Sequence, residues 1–151
     1  MAGAPEAGLR ATERRAEIRA LAAEMGIDDA FISTLVERFY ERVLDDPLLA
    51  PIFNEAITGS WAPHLAKMKD FWASVAFNAG RYSGKPVPVH VELDGLTRAH
   101  FARWLALFRE TLEDEAENEA AVAYMMSKAE RIAESLKMAV FGMPGLPGYR
   151  A

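Results

Sequence analysis

The sequence predicts an all-α protein of one domain, and three observations carry that prediction. Apolar residues recur at spacings of three and four in several long stretches, the period of a helix with one face in a core. No stretch alternates apolar and polar residues as a half-buried strand does, and no segment repeats. Most glycines and prolines stand between the periodic stretches, with Pro5, Gly8 and Pro63 near the starts of two of them. At 151 residues and 51% hydrophobic content, the chain has the length of one domain and enough apolar side chains to fill its core.

The elements follow in order. Residues 5 to 24, rich in Ala, Glu and Arg, read as a helix with a narrow apolar stripe (Leu9, Ile18, Leu21, Ala22) or as a partly frayed arm. Gly26 breaks the pattern and Asp28 is the candidate N-cap of the next helix, in which Ile32, Val36, Phe39, Tyr40 and Val43 share a face. Pro47 and Pro51 bracket a short turn-like segment, followed by Ile52 and Phe53, and the stretch around Gly59 is a loop. Trp61, His64, Met68, Phe71, Trp72 and Val75 then lie on one helical stripe. The segment NAGRYSGKPVPVH is irregular, with a short helix starting near Pro88, including His90, and ending at Asp94 and Gly95. Phe101, Trp104, Leu105, Phe108 and Leu112 define a further amphipathic helix, and EDEAENEA is its solvated end and the next connection. The last helix runs from about Ala120 to Phe141, with Val122, Met126, Ala129, Ala133, Leu136 and Val140 inward. The expected divisions are an N-terminal arm or helix over 1–26, a helical domain over 27–141 and a disordered Gly/Pro-rich tail over 142–151.

Composition removes several functions. The net charge is −5 with no basic stripe, which argues against nucleic acid and against an anionic membrane surface as partners. With no cysteine there are no disulfides, iron–sulfur clusters or thiolate-held metals. The first residues have no apolar signal core, and no apolar run approaches the roughly 18 residues of a membrane span, so a soluble, cytoplasmic protein is expected.

Chemistry therefore rests on few groups. There are three histidines: His64, His90 and His100. His90 stands among Val87, Val89, Val91 and Leu93. The plain reading is a structural histidine beside a loop. The functional one is an imidazole aimed into an apolar slot, with carbonyls of a Pro-started turn free to hold its second nitrogen. His64 lies on an apolar stripe, where a histidine is more often a satisfied core or boundary residue; yet Tyr40 and Trp104 also place polar tips on apolar helix faces. Three such tips suggest a small polar spot inside an apolar cavity. His100 reads as surface or cavity rim, and Lys67 as an exposed neighbour of His64. Motifs for di-iron bundles (ExxH), zinc proteases (HExxH), nucleophile elbows (GxSxG) and phosphate loops are absent. His64 and His90 are too far apart in sequence for a local chelate, which leaves them able to face each other across a planar cofactor.

The runs LVERFYERVLDDPLLAPIFNEAI, WAPHLAKMKDFWASV, GRYSGKPVPVH and HFARWLALFRETL, in that order, resemble the group III truncated haemoglobins over roughly residues 27 to 141. The resemblance implies a shortened globin, two helices over two around a non-covalent haem b, here with an extra N-terminal helix or arm. It implies His90 as the proximal iron ligand, with Tyr40, Trp104 and His64 lining the distal side. Phe53 would pack on the haem edge, Met68, Phe71 and Trp72 would form apolar walls, and Lys67 and Tyr82 would reach the propionates. His64 would donate to the ligand, swing to admit it, or bind iron itself; Glu92 stands close to His90 in sequence.

Bound O₂ gathers negative charge, and a hydrogen bond to a charged group contributes about 1.5–3 kcal/mol. At about 1.4 kcal/mol per tenfold, two donors would slow release by about two or more decades. The implied function is binding of O₂, NO, CO or peroxide for retention or redox detoxification rather than O₂ delivery, with electrons for any turnover from a separate reductase. A haem-based sensor or shuttle acting through a protein partner, its N-terminal arm as the contact, is the alternative. A cofactor-free helical interaction module is the reading in which the aromatic stripes are plain core.

Overall fold

In the computed structural model, residues 3–80, 95–142, 145 and 147 are described, with backbone alone over 3–9. The predicted short helix at Pro88, most of the tail, and the side chain of Leu9 lie outside the described residues. Six helices appear among the described residues, and no strand: α1 (Gly3–Glu24), α2 (Asp29–Asp45), α3 (Ala50–Ala56), α4 (Ala62–Phe77), α5 (Arg98–Glu115) and α6 (Glu119–Phe141). None is long and apolar enough to cross a membrane.

Each helix starts and stops for a local reason. Asp28 caps α2 by accepting the Phe31 N–H at 2.8 Å, and Asn118 caps α6 by accepting from the Ala121 N–H at 2.9 Å. Pro51 and Pro63 occupy the first turns of α3 and α4, where a missing N–H is harmless. Asn78 closes α4 in the left-handed region at φ 53°. Gly26 turns the chain between α1 and α2 at φ 81°; a Cβ there would stand 2.7 Å from Glu117 Oε2, so this corner fits closely against the α5–α6 corner.

The core is built on α2, which packs against α3, α4 and α5. The pair α2 and α4 lies over the pair α5 and α6, joined through α2–α5 and α4–α6 contacts, giving the two-over-two arrangement. Ile32, Leu35, Val36, Phe39 and Val43 of α2 are buried with Leu107, Phe108 and Leu112 of α5 and Met125, Met126 and Ala129 of α6. The Tyr124 hydroxyl donates to the Ala76 carbonyl at 2.5 Å, tying α6 to the end of α4.

The structure corrects four details of the sequence reading. The segment after Pro47 is a turn followed by the seven-residue helix α3, not a turn alone. In α1, Ala22 is buried and Ile18 packs on the core, but Leu21 is 57% exposed, so the predicted stripe is narrower than expected. Met125 and Phe141 are buried in α6, whereas Val122 is only partly covered. His100 is a buried residue of the α5 N-terminus rather than a rim residue. Its Nδ1 accepts from the Thr97 backbone N–H at 3.0 Å and lies 2.7 Å from Thr97 Oγ1, so it fills the place a glutamate takes in a capping box.

Asp46 joins α2, the following turn and α5. Its Oδ2 accepts the Leu48 and Leu49 N–H groups at 3.1 and 3.0 Å, and its Oδ1 accepts from Arg103 Nε at 2.6 Å. Burial pushes its carboxyl up, but the Arg103 hydrogen bond, the two backbone donors and the Arg103 charge together hold it below the usual range. Since the folded form binds its proton less readily, Asp46 stabilises the fold above the ordinary carboxyl range, and that contribution is lost as pH falls through the lowered value. Asp46→Ala is expected to destabilise the protein by about 2 kcal/mol, the scale of a lost cap and its bonds. Denaturant titrations at pH 7 and pH 3 check this: the gap between parent and variant should shrink at the lower pH.

Candidate functional site

The site forms where α2, α3 and the start of α4 meet. Tyr40 comes from the inner face of α2, at 5% exposure. Three rings surround it: Phe53 of α3 at 5.8 Å, Trp61 just before α4 at 5.8 Å, and His64 of α4 at 5.2 Å and nearly perpendicular. His64 is also edge-on to Trp61 at 5.3 Å, one helical turn away. The imidazole is thus held between two aromatic faces. Its Nε2 is buried without a hydrogen-bond partner; among the described residues the other such side-chain atom is Nη1 of Arg42, whose Nη2 pairs with Asp114. An unpartnered buried nitrogen is costly and asks for an explanation by function.

Both polar rings are kept neutral. Burial pushes the Tyr40 phenol up, so it remains an O–H donor well above neutral pH. Burial, and then the nearby Lys67 charge, push the His64 imidazole down. Lowering a histidine in the folded state makes its stabilising contribution complete above the ordinary value of 6.5 and lost as pH falls below it. Lys67→Gln removes one of the two causes, so His64 should titrate at higher pH than in the parent; an NMR titration of its ring protons checks the direction.

Trp104 stands in a second aromatic group that shares Phe39 with the first. Its indole is parallel to Phe108 (5.4 Å, 3°), stacked with Trp72 of α4 (6.2 Å, 22°), and edge-on to Phe39 of α2 (5.4 Å, 88°). Phe39 in turn lies 5.2 Å from Tyr40. The predicted polar tips on α2, α4 and α5 are therefore linked through adjoining aromatic rings.

The α4 stripe is uneven in a way the sequence does not reveal. Trp72, Ala73, Ala76 and Phe77 are fully buried, whereas Trp61, His64, Met68, Phe71 and Val75 are only half-buried although most are apolar. A half-covered apolar face with a polar ring at one end is a surface suited to a flat, largely apolar group. Met68 and Phe71 belong to it, and Lys67 is exposed beside it. The structure brings Tyr40, Phe53 and His64 directly together, with Trp104 one ring removed. The candidate ligand His90, with Tyr82 and Glu92, lies outside the described residues. Trp61 is the site residue that sequence reasoning left without a role; its position three residues before His64 was the signal available.

Comparison with known proteins gives the family and the fold. Residues 21–138 match the family model described as bacterial-like globin. The group 3 truncated hemoglobin of Campylobacter jejuni is 35% identical over 122 residues, covering 79% of this chain and 95% of that protein. The crystal structure of the group III truncated hemoglobin from Campylobacter jejuni superposes with a TM-score of 0.73 at 35% identity, over 80% of this chain and 96% of that one. The 2/2 hemoglobin from Synechococcus sp. PCC 7002, solved in the cyanomet state with covalently attached heme, shares the fold at a TM-score of 0.66 and 21% identity, over 82% and 98% of the two chains. The all-helical two-over-two fold is the one these structures share, and the chain belongs to the bacterial-like globins.

Proposed function

We propose that this globin holds haem b non-covalently through His90 and binds O₂, NO, CO or peroxide on the face lined by Tyr40, His64 and Trp104, for retention or redox detoxification rather than O₂ delivery. The observation that carries the reading is the buried, unpartnered Nε2 of His64, set edge-on to Tyr40 beside a half-covered apolar stripe. A polar ligand seated there would give that nitrogen a partner. When bound, the haem iron supplies an open coordination position and one-electron chemistry. The chain's residues do the rest. Met68, Phe71 and Val75 offer apolar wall. Tyr40, kept protonated by burial, offers an O–H, and Trp104 an indole N–H, to a ligand that gathers negative charge. His64, kept neutral, has one ring nitrogen to donate and one to accept. Lys67, exposed beside the apolar stripe, would meet a propionate.

His90 is favoured as the iron ligand by the resemblance to the group III truncated haemoglobins and by its setting among Val87, Val89, Val91 and Leu93, whereas His100 is engaged in the α5 cap. Phe53 packs on Tyr40, which makes it a support for that donor as well as a candidate haem contact. With no cysteine, thioether attachment is excluded, and release of the pigment into acidified butanone tests for any other covalent link. Turnover of NO or peroxide would draw electrons from a separate reductase.

The deciding experiment is the absorption spectrum after haem is supplied. A Soret band that shifts when the reduced protein is given CO is the expected result. A chain that folds yet takes up no haem would overturn the proposal.

A further inference from the structure

We propose that Trp72 is a positioning residue for Trp104: it fixes the plane of that indole, and so the direction of its N–H, without touching the ligand. This rests on the reading above that Trp104 faces the ligand.

The argument begins with torsions. The bond that turns an indole about its Cβ–Cγ axis has broad wells, so the side chain's own preferences leave the ring plane loosely defined. Packing must choose it. The Nε1–H lies in the ring plane, and turning the plane swings the donor.

Three rings set the plane of Trp104, each from a different helix. Phe108, one turn along α5, is parallel to within 3°. Phe39 of α2 meets it edge-on at 88°. Trp72 of α4 stacks on it at 6.2 Å and 22°. Trp72 is also stacked with Phe108 at 4.6 Å and meets Phe71 edge-on at 5.2 Å. At 2% exposure Trp72 has almost no freedom of its own, whereas Trp104 is only half-buried and so depends on its neighbours for order. Phe108 moves with Trp104 because both ride on α5. Trp72 is the plate that references Trp104 to α4, the helix that also carries His64, two turns earlier. The donor on α5 and the imidazole on α4 are thereby held in one frame.

The test uses the haem-loaded protein and four variants: Trp72→Phe, Trp72→Leu, Trp104→Phe and the double variant Trp72→Leu/Trp104→Phe. Three quantities are read: the O₂ off-rate by stopped flow, the Trp104 indole N–H cross-peak in ¹⁵N-labelled CO-bound protein, and the thermal midpoint. Trp104→Phe should speed O₂ loss about tenfold, the scale of one charge-assisted hydrogen bond. Trp72→Leu should speed it by a similar factor and shift the Trp104 cross-peak, while the double variant is no faster than Trp104→Phe. Trp72→Phe keeps an aromatic plate and should return the rate to within about threefold of the parent, since one decade is the whole effect at stake.

An accelerating effect of Trp72→Leu that persists undiminished in the Trp104→Phe background would overturn the proposal, because it would then act by loosening the fold. An unmoved rate and cross-peak in Trp72→Leu would overturn it too. If Trp72→Leu fails to fold, Trp72→Met and its double with Trp104→Phe carry the same comparison, and an off-rate and cross-peak unmoved in Trp72→Met overturn the proposal. If Trp104→Phe leaves the off-rate unchanged, the ligand-facing reading fails, and the Trp104 cross-peak still decides whether Trp72 sets that ring.

Discussion

His90→Gly is expected to abolish stable haem retention in the purified protein and to regain it when imidazole is added. In the proposed binding mode His90 would be the protein's bond to the iron; the other contacts proposed are Phe53, the apolar walls, Lys67 and Tyr82. Removing an outer-sphere partner of a metal ligand typically weakens metal binding 10- to 100-fold. Removing the ligand itself should exceed that, so a loss greater than about 100-fold in haem affinity is the expectation. Glycine leaves space for a free imidazole to enter and bind the iron, which separates loss of a ligand from loss of the fold. Circular dichroism should show the helical content largely kept, because the core of Val36, Phe39, Phe108 and Met125 is built from α2, α5 and α6. Pigment bound as tightly in His90→Gly as in the parent, with an unchanged spectrum, would remove His90 from the metal.

The sequence made the long helices legible because each carries a sustained apolar stripe. The Asp28 cap and most of each stripe were readable: Ile32, Val36, Phe39, Tyr40 and Val43 in α2, without the equally buried Leu35, and Met126, Ala129, Ala133, Leu136 and Val140 in α6. The helix α3 was not, because seven residues opened by a proline span two turns and show no period. Leu21 was misassigned because α1 touches the core mainly along Ile18 and Ala22, and a helical wheel cannot tell a narrow contact from a broad one. His100 escaped because a capping box is sought as Ser or Thr followed three residues later by Glu or Gln; an imidazole in that place is invisible to the pattern.

The site divides in the same way. That Tyr40, His64 and Trp104 put polar tips on apolar faces was visible in the spacing alone. That Tyr40 and His64 meet edge-on, and that Trp104 reaches them through Phe39, depends on how α2, α4 and α5 cross. Crossing geometry arises from contacts distant in sequence, and no local pattern encodes it. The uneven burial of α4 is the clearest case. Met68, Phe71 and Val75 match Trp72 in hydrophobic character, yet they are half-covered where Trp72 is sealed. Only the placement of neighbouring helices turns one stripe into a sealed core edge and a half-covered apolar face.

Tyr40→Phe should release O₂ about 10- to 100-fold faster than the parent, the range that one hydrogen bond to a charged acceptor supports. The substitution deletes one oxygen and leaves the ring, so the edge contacts to Phe39, Phe53 and His64 and the tilted contact to Trp61 survive and the fold is little disturbed. The pH dependence gives a second and sharper expectation. Burial keeps the phenol protonated far above neutrality, so its share of ligand retention should be flat from pH 7 to pH 10. His64, pushed down by burial and Lys67, is neutral over that range and gains its proton only below the ordinary histidine value. Any change in the parent's off-rate should therefore appear on the acid side, persist in Tyr40→Phe, and move to higher pH in Lys67→Gln. Stopped-flow off-rates across pH 5 to 10 in the three proteins check all of this. A parent profile that breaks near pH 9 would mean that the phenol is not sealed in an apolar cage, and an off-rate unchanged in Tyr40→Phe would mean that its hydroxyl does not meet the ligand.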